Sequence, residues 1–449
     1  MRHRWCPRSL WLSAFGHKLH LQNLEGAVKD ANSSIHFLHR RATAAPYELQ
    51  VLLPYRCYFL HFSLQLRQPI SSPTAMAFLN PPSLPTRSPK RRPPAPICSS
   101  LGGSKLPHTA YTTLLQDDTP LCRVITGMWR ASDPRGYGPT TADVTKAIHA
   151  AVDAGFFTFD LADTYGDADL YVREYARSVG RAASQRLQFC TKLAIDPREL
   201  EGTVSKATVQ HYVDRALSRM DQERIHLLQL QWADFSDTRF IDFLGYLGEM
   251  KREGKVRSVG TANFPTRQLK YVSSQGIRIA SNQVSFSLLD RRPIVEMADW
   301  CSDNDVGLLA YSTLGGGFFT EKYLGLPEPT RRACGTAGLQ RFSLLIKVWG
   351  GWSLFQELLY AIKVVADKHD VSMANVAVKW ALQYPGLAAV IVGARLGIAS
   401  ETDHILNNVK AFEFSLDEED MQILDVIALK GNDMYRLLGD SGEELQSPR

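Results

Sequence analysis

Residues 155–169 read GFFTFDLADTYGDAD, and their reading decides the fold. An apolar run, Phe156 to Phe159, gives way within a few residues to Asp160, Asp163, Tyr165, Asp167 and Asp169. A short apolar run of this kind suits a strand buried on both faces of a parallel sheet. Just upstream, Val144, Ala147, Ile148, Ala151 and Val152 recur at helical spacing and stop at Gly155, a residue suited to ending a helix. A helix leading into a buried strand is half of an α/β unit, so the count of such units sets the architecture.

Eight strands are expected: 122–129 (CRVITGMW), 157–162 (FTFDLA), 187–193 (LQFCTKL), 226–232 (HLLQLQW), 256–263 (VRSVGTAN), 282–286 (NQVSF), 306–313 (VGLLAYST) and 388–394 (AAVIVGA). Helical stripes lie between them, including Val209, Val213, Ala216, Leu217 and Met220, then Phe240, Phe243, Leu244, Leu247 and Met250. Eight such units predict an α/β fold of the (β/α)8 TIM-barrel type over 118–440. A doubly wound sheet is the alternative, but no G-x-G-x-x-G follows the first strand.

The chain of 449 residues is 45% hydrophobic and 22% charged, a globular composition with a formal net charge of +5. That charge is uneven, because no Asp or Glu falls between Glu48 and Asp117 while Arg56, Arg67, Arg87, Lys90, Arg91, Arg92 and Lys105 do. From Met76 the sequence MAFLNPPSLPTRSPKRRPPAPICSS is hydroxyl-rich, arginine-rich and acid-free, as organellar transit peptides are. Residues 76–110 are therefore expected to be a plastid transit peptide, placing the protein in the chloroplast, with 1–75 as an N-terminal extension without a convincing helix or strand pattern. The basic leader does not argue for nucleic acid as a partner, since without it the barrel carries no net positive charge. Seven cysteines without a C-x-x-C pair suit free thiols rather than a disulfide framework or zinc site, and no metal is expected. No uninterrupted apolar run approaches the ~20 residues of a membrane span.

In a barrel, chemistry gathers where strands end. Asp160 and Tyr165 follow the second expected strand, Lys192 the third, Gln231 the fourth and Asn263 the fifth; Asn282 and Gln283 open the sixth, and Tyr311 and Ser312 end the seventh. A phenol, with a pKa near ~10, is a weak acid at neutral pH, and a nearby ammonium lowers that value. A carboxylate beside the lysine keeps the ammonium charged. Asp160, Lys192 and Tyr165 thus form a coherent general acid for carbonyl reduction. No side chain supplies a hydride, so the scheme requires a nicotinamide cofactor.

The stretch GFFTFDLADTYGDAD resembles the Gly-Phe-x-x-x-Asp-x-Ala-x-x-Tyr-Gly motif of the aldo-keto reductase family. The likeness continues in order through FCTKL, LLQLQWADF, VGTANF, NQVSFSLLDRRP, AYSTLGGGFFTEKYLG and VIVGARLG, over roughly 120–430. GMW at 127–129 and WGGWSLFQ at 349–356 resemble a plant plastid-type branch. The resemblance implies an NADPH-dependent reductase of a small aldehyde or ketone with Asp160, Tyr165 and Lys192 as its acid–base triad. It implies that Asn263 and Gln283 hold the nicotinamide carboxamide and that Tyr311 stacks on the ring, with Ser312 and Leu314 beside them. Gly315, Gly317 and Lys322 would approach the pyrophosphate, while Gly393, Arg395 and Asn408 would line the adenosine end. Arg395 near a terminal phosphate would favour NADP over NAD. Trp129 and Trp232 would flank the substrate.

The family usually ends its fourth strand Leu-x-His-Trp, whereas this chain has Gln231 where the histidine would stand. An amide still donates a hydrogen bond to a carbonyl, but it does not titrate near neutrality. A second function class therefore competes: a nucleotide-binding regulatory protein that keeps the barrel with little catalysis.

Overall fold

A computed structural model of the chain describes residues 106–129, 139–394, 396–398 and 404–446. The segments 1–75 and 76–105, and Arg395, lie outside the described residues. Eight parallel strands close into a barrel: β3 (Val124–Gly127), β4 (Thr158–Asp160), β5 (Gln188–Ile195), β6 (Ile225–Trp232), β7 (Val256–Ala262), β8 (Ser281–Ser285), β9 (Gly307–Tyr311) and β10 (Leu387–Gly393). β10 pairs with both β9 and β3, which closes the ring.

The helices form where the periodicity places them. Thr140 caps the helix Thr141–Ala154 through a reciprocal bond with Asp143, and Gly155 ends it at φ 104°, a conformation that favours glycine. Helices Lys206–Met220 and Phe240–Arg252 bury Val209, Val213, Leu217 and Met220, and Phe240, Phe243, Leu244, Leu247 and Met250, against the outside of the barrel.

Strand alternation sorts the side chains into two cores. Ile125, Cys190, Leu227, Leu309, Ala389 and Ile391 fill the barrel interior, separate from the larger core between sheet and helices. Leu114 and Leu121 join that interior from a hairpin, β1 (Tyr111–Leu114) and β2 (Thr119–Cys122), which precedes the barrel. The hairpin corrects the expected first strand at 122–129. Cys122 closes the hairpin and donates its N–H to Thr158 Oγ1 at 2.9 Å, and the barrel strand starts only at Val124. Leu106 and Ala110 are also buried, so packed structure reaches into the last residues of the span read as leader. Each hairpin strand has four residues, too few for a periodic signal; pairing and the plug positions of two leucines define them instead. Among the described residues, no helix is long and apolar enough to cross a membrane.

Candidate active site

Asp160, Lys192, Gln231 and Gln283 bring polar side chains to the carboxyl ends of the strands, while the layer beneath is largely apolar. Asp160 is the last residue of β4 and Lys192 lies inside β5, one inward step above Cys190. Lys192 Nζ donates to Asp160 Oδ1 at 2.6 Å, and the two side chains are only 4% and 3% exposed. Gln283 on β8 donates from Nε2 to the same Oδ1 at 2.8 Å. The Tyr165 hydroxyl stands 3.5 Å from Asp160 Oδ2, and Lys192 Nζ is 4.9 Å from the centre of the tyrosine ring. The expected line of Asp, Lys and Tyr is therefore a triangle centred on the carboxylate. Taking both charges out of water costs several kcal/mol per ion, offset only when the remaining hydrogen bonds are made. Here two further donors reach the carboxylate.

Tyr165 is held by its neighbours. Asp163 accepts from the Ala194 N–H at 3.2 Å, fastening the β4 loop to β5. Arg219 donates to Asp169 and to the Gly166 carbonyl, the latter at 2.7 Å, clamping the residue after Tyr165. Burial pushes the Asp163 carboxyl up to about 6, although the Ala194 N–H and Arg215 oppose the shift.

Asn263 and Tyr311, at the tops of β7 and β9, form a second pair through a Tyr311 O–H to Asn263 Oδ1 bond of 2.9 Å. Asn263 and Ser312 take φ values of 58° and 66°, uncommon for residues with a side chain. Strain of this kind collects at functional sites. Leu314 and Ser312 are half-buried beside Gly315–Gly317, a short turn in which all three glycines have positive φ.

The remaining expected residues divide. Gln231 is half-buried at an inward position of β6, opposite Ala194 and Ala262. Trp129 is half-buried just past β3. Trp232, expected beside the substrate, turns away from the barrel. It is 1% exposed, packs on Phe240 and Phe243, and donates its indole N–H to the Asp237 carbonyl at 3.0 Å. The cause is strand alternation: β6 runs through residue 232, so an inward Gln231 forces an outward Trp232. Lys322 is exposed on the turn Glu321–Tyr323, Gly393 is exposed at the end of β10, and Asn408 is buried against the helix Met373–Gln383.

Two groups escaped the sequence reading. Gln229 is fully buried, pairs in register with Lys192, and has neither amide atom hydrogen-bonded among the described residues. Arg341 holds its guanidinium 5.9 Å over the Tyr311 ring. A Gln within an apolar strand is a detectable signal; an arginine on an inserted helix far along the chain is not.

The protein-family model for the aldo/keto reductase family matches residues 123–428. The chain is 25% identical over 316 residues to the chloroplastic pyridoxal reductase of Arabidopsis thaliana, covering 65% of this chain and 79% of that protein. It is 22% identical over 236 residues to the NADH-specific methylglyoxal reductase of Escherichia coli, covering 52% of this chain and 68% of that one. Among solved structures, a thermostable aldo-keto reductase crystallised with the inhibitor epalrestat superposes with a TM-score of 0.54 at 20% identity, over 71% of this chain and 99% of that one. The fold, the order of motifs and the family match agree: this chain belongs to the aldo/keto reductase family.

Proposed function

We propose that the chain is an NADPH-dependent reductase of a small aldehyde or ketone, with Tyr165 as the proton donor. The buried Asp160–Lys192 pair, with Tyr165 against the same carboxylate, carries this reading. A desolvated charge pair with an adjacent phenol is costly to bury, and it stands at the rim where barrel chemistry collects.

The residues fit a nicotinamide. With Oδ1 engaged by Tyr311, Asn263 keeps an amide N–H to donate; with Nε2 on Asp160, Gln283 keeps a carbonyl oxygen to accept. One donor and one acceptor complement a carboxamide. Tyr311 offers a flat face for stacking. Bound there, the cofactor would supply the hydride. As charge builds on the carbonyl oxygen, the Tyr165 O–H gives up its proton to it. Lys192 then stabilises the phenolate left behind, and Asp160 orients the ammonium. Solvent returns the proton to Tyr165. The Gln231 amide donates to the carbonyl oxygen and orients it.

The preference for NADPH rests on Arg395, two positions past Gly393 in the sequence, and the plastid location on the acid-free run from Met76. Fusing residues 76–110 to a reporter should send it into plastids without residues 1–75; cytosolic retention refutes that leader. The second reading, a nucleotide-binding regulator, draws on Gln231, which cannot exchange a proton near neutrality. The test is to mix the protein with NADPH or NADH and a carbonyl panel that includes pyridoxal and methylglyoxal, following the loss of nicotinamide absorbance. Oxidation with at least one carbonyl, faster with NADPH, is expected. Binding of nucleotide without turnover of any carbonyl favours the regulator, and no binding sinks both.

A further inference from the structure

The segment Asp440–Gln446 lies beyond the family's motifs, yet it touches Asn263, one of the residues assigned to the nicotinamide. Gly442 has φ 101°, and a Cβ there would fall 2.3 Å from the Asn263 carbonyl oxygen, so the segment's backbone lies directly on Asn263. Asp440 Oδ2 accepts from the Thr266 N–H at 2.6 Å, three residues past Asn263. Gln446 reaches the Phe235 N–H through Oε1 at 3.1 Å, on the loop after β6.

Glu444 anchors this segment. Its carboxylate takes two bonds from Arg292, at 2.7 and 2.8 Å, and one from the Gly442 N–H at 2.9 Å. Arg292 is paired on its other side with Asp290 at 2.8 and 2.9 Å, and all three side chains are buried. A second cation, Arg341, comes within 3.7 Å of Glu444 and places its guanidinium over Tyr311. The contacts close a ring: Gly442 on Asn263, Asn263 to Tyr311, Tyr311 under Arg341, Arg341 to Glu444, and Glu444 back to Gly442. Beside the ring, Arg292 is paired with Asp290 and Glu444, so removing the Glu444 charge weakens the contact that positions Arg341 over the tyrosine.

We propose that Glu444 is a positioning residue, acting through Gly442 and Arg341 to hold Asn263 and Tyr311 in the geometry that grips the nicotinamide end of the cofactor. The inference rests on the proposed function, because it takes those two residues as the nicotinamide contacts. A positioning role at one end of the nucleotide has a consequence that a merely structural role lacks. Binding of the whole dinucleotide should weaken, while binding of the same molecule without its nicotinamide ring should not.

The experiment measures affinity by calorimetry for NADPH and 2′-phospho-ADP-ribose, and for NADH and ADP-ribose, on the full chain and its variants. Glu444→Gln should weaken the favoured dinucleotide by about tenfold while leaving its ring-less counterpart within about twofold. Gly442→Ala leaves all four charges in place and presses a methyl group on Asn263, so it should give the same selective loss even if Glu444→Gln fails to fold. Equal losses for both molecules, or no loss in a folded variant, overturn the proposal. If the unmodified chain binds ring-less nucleotide as tightly as whole dinucleotide, the nicotinamide reading itself fails and takes this inference with it.

Discussion

The two ends of the proposed nucleotide path are built differently. At the hydride end, Asp160, Lys192 and Gln283 come from three strands of one barrel and are joined by bonds of 2.6 and 2.8 Å, with Tyr311 and Asn263 joined at 2.9 Å beside them. Towards the pyrophosphate and adenosine, Lys322 and Gly393 are exposed and Asn408 is buried, and no hydrogen bond joins them among the described residues. Sheet register sets the first group before any ligand arrives. The second sits on turns and connections, which carry recognition but depend on what they hold. Substitutions at the hydride end should therefore strike the chemistry, and those at the far end should strike affinity alone.

The largest expected effect tests the first half of that contrast. Tyr165→Phe removes one hydroxyl and keeps the ring, so the protein should fold and bind NADPH almost as before. Losing general acid assistance should lower the carbonyl reduction rate by ~10²–10⁴-fold. Lys192→Met should be as damaging and also costs stability, because it leaves Asp160 buried without its cation. Stopped-flow reduction alongside nucleotide binding distinguishes the cases; full activity in Tyr165→Phe would end the enzymatic assignment.

The same contrast explains what the sequence revealed. The eight barrel strands lie within a few residues of their expected places because each is a continuous apolar run between helical stripes. The positions of Asp160, Lys192, Gln283 and Tyr311 follow from period-two alternation once the strands are known. Alternation also shows why the substrate reading of Trp232 fails: neighbours in one strand cannot both face inward. The hairpin escaped because two strands of four residues carry no period, and their interior leucines look like ordinary apolar residues. The charge cluster of Asp290, Arg292, Arg341 and Glu444 joins residues up to 154 positions apart, and no local pattern announces such a pairing.

A smaller effect concerns the clamp on the Tyr165 loop. Asp163 has its carboxyl raised by burial from 3.8 to about 6. The folded protein thus holds this proton more tightly than the unfolded chain. The contribution is most favourable below pH 3.8 and is lost as pH rises through about 6. Asp163→Asn keeps an oxygen for the Ala194 N–H and cannot ionise. It should raise stability at pH 8 by about 1–3 kcal/mol, with the gain vanishing towards pH 4. Denaturant titrations at the two pH values check this, and a gain that grows in acid contradicts the assignment.

At the adenosine end the expected loss is one of affinity. Arg395→Ala should reduce the preference for NADPH over NADH by about tenfold, as loss of one guanidinium–phosphate fork would, with the maximal reduction rate unchanged. Paired calorimetric titrations decide it, and an unaltered ratio removes Arg395 from the cofactor site. A fall in maximal rate would instead mean that the two ends are not independent.

The smallest effect lies where the chain departs from its family. Gln231 occupies an inward, half-buried position at the top of β6, level with Ala194 and Ala262, so only small neighbours flank it in the sheet. An imidazole placed there has room and gains a proton that titrates near pH 6.5, which an amide lacks. Gln231→His should therefore leave cofactor affinity unchanged and alter the ranking of carbonyl substrates by a few fold, about 1 kcal/mol between competitors. It should also introduce a dependence of the rate on pH between about 6 and 7 that the parent protein does not show. Competition between two carbonyls at several pH values measures both effects together. If neither the ranking nor the pH profile moves, residue 231 is not in contact with the substrate, and orientation of the carbonyl falls to other groups on the rim.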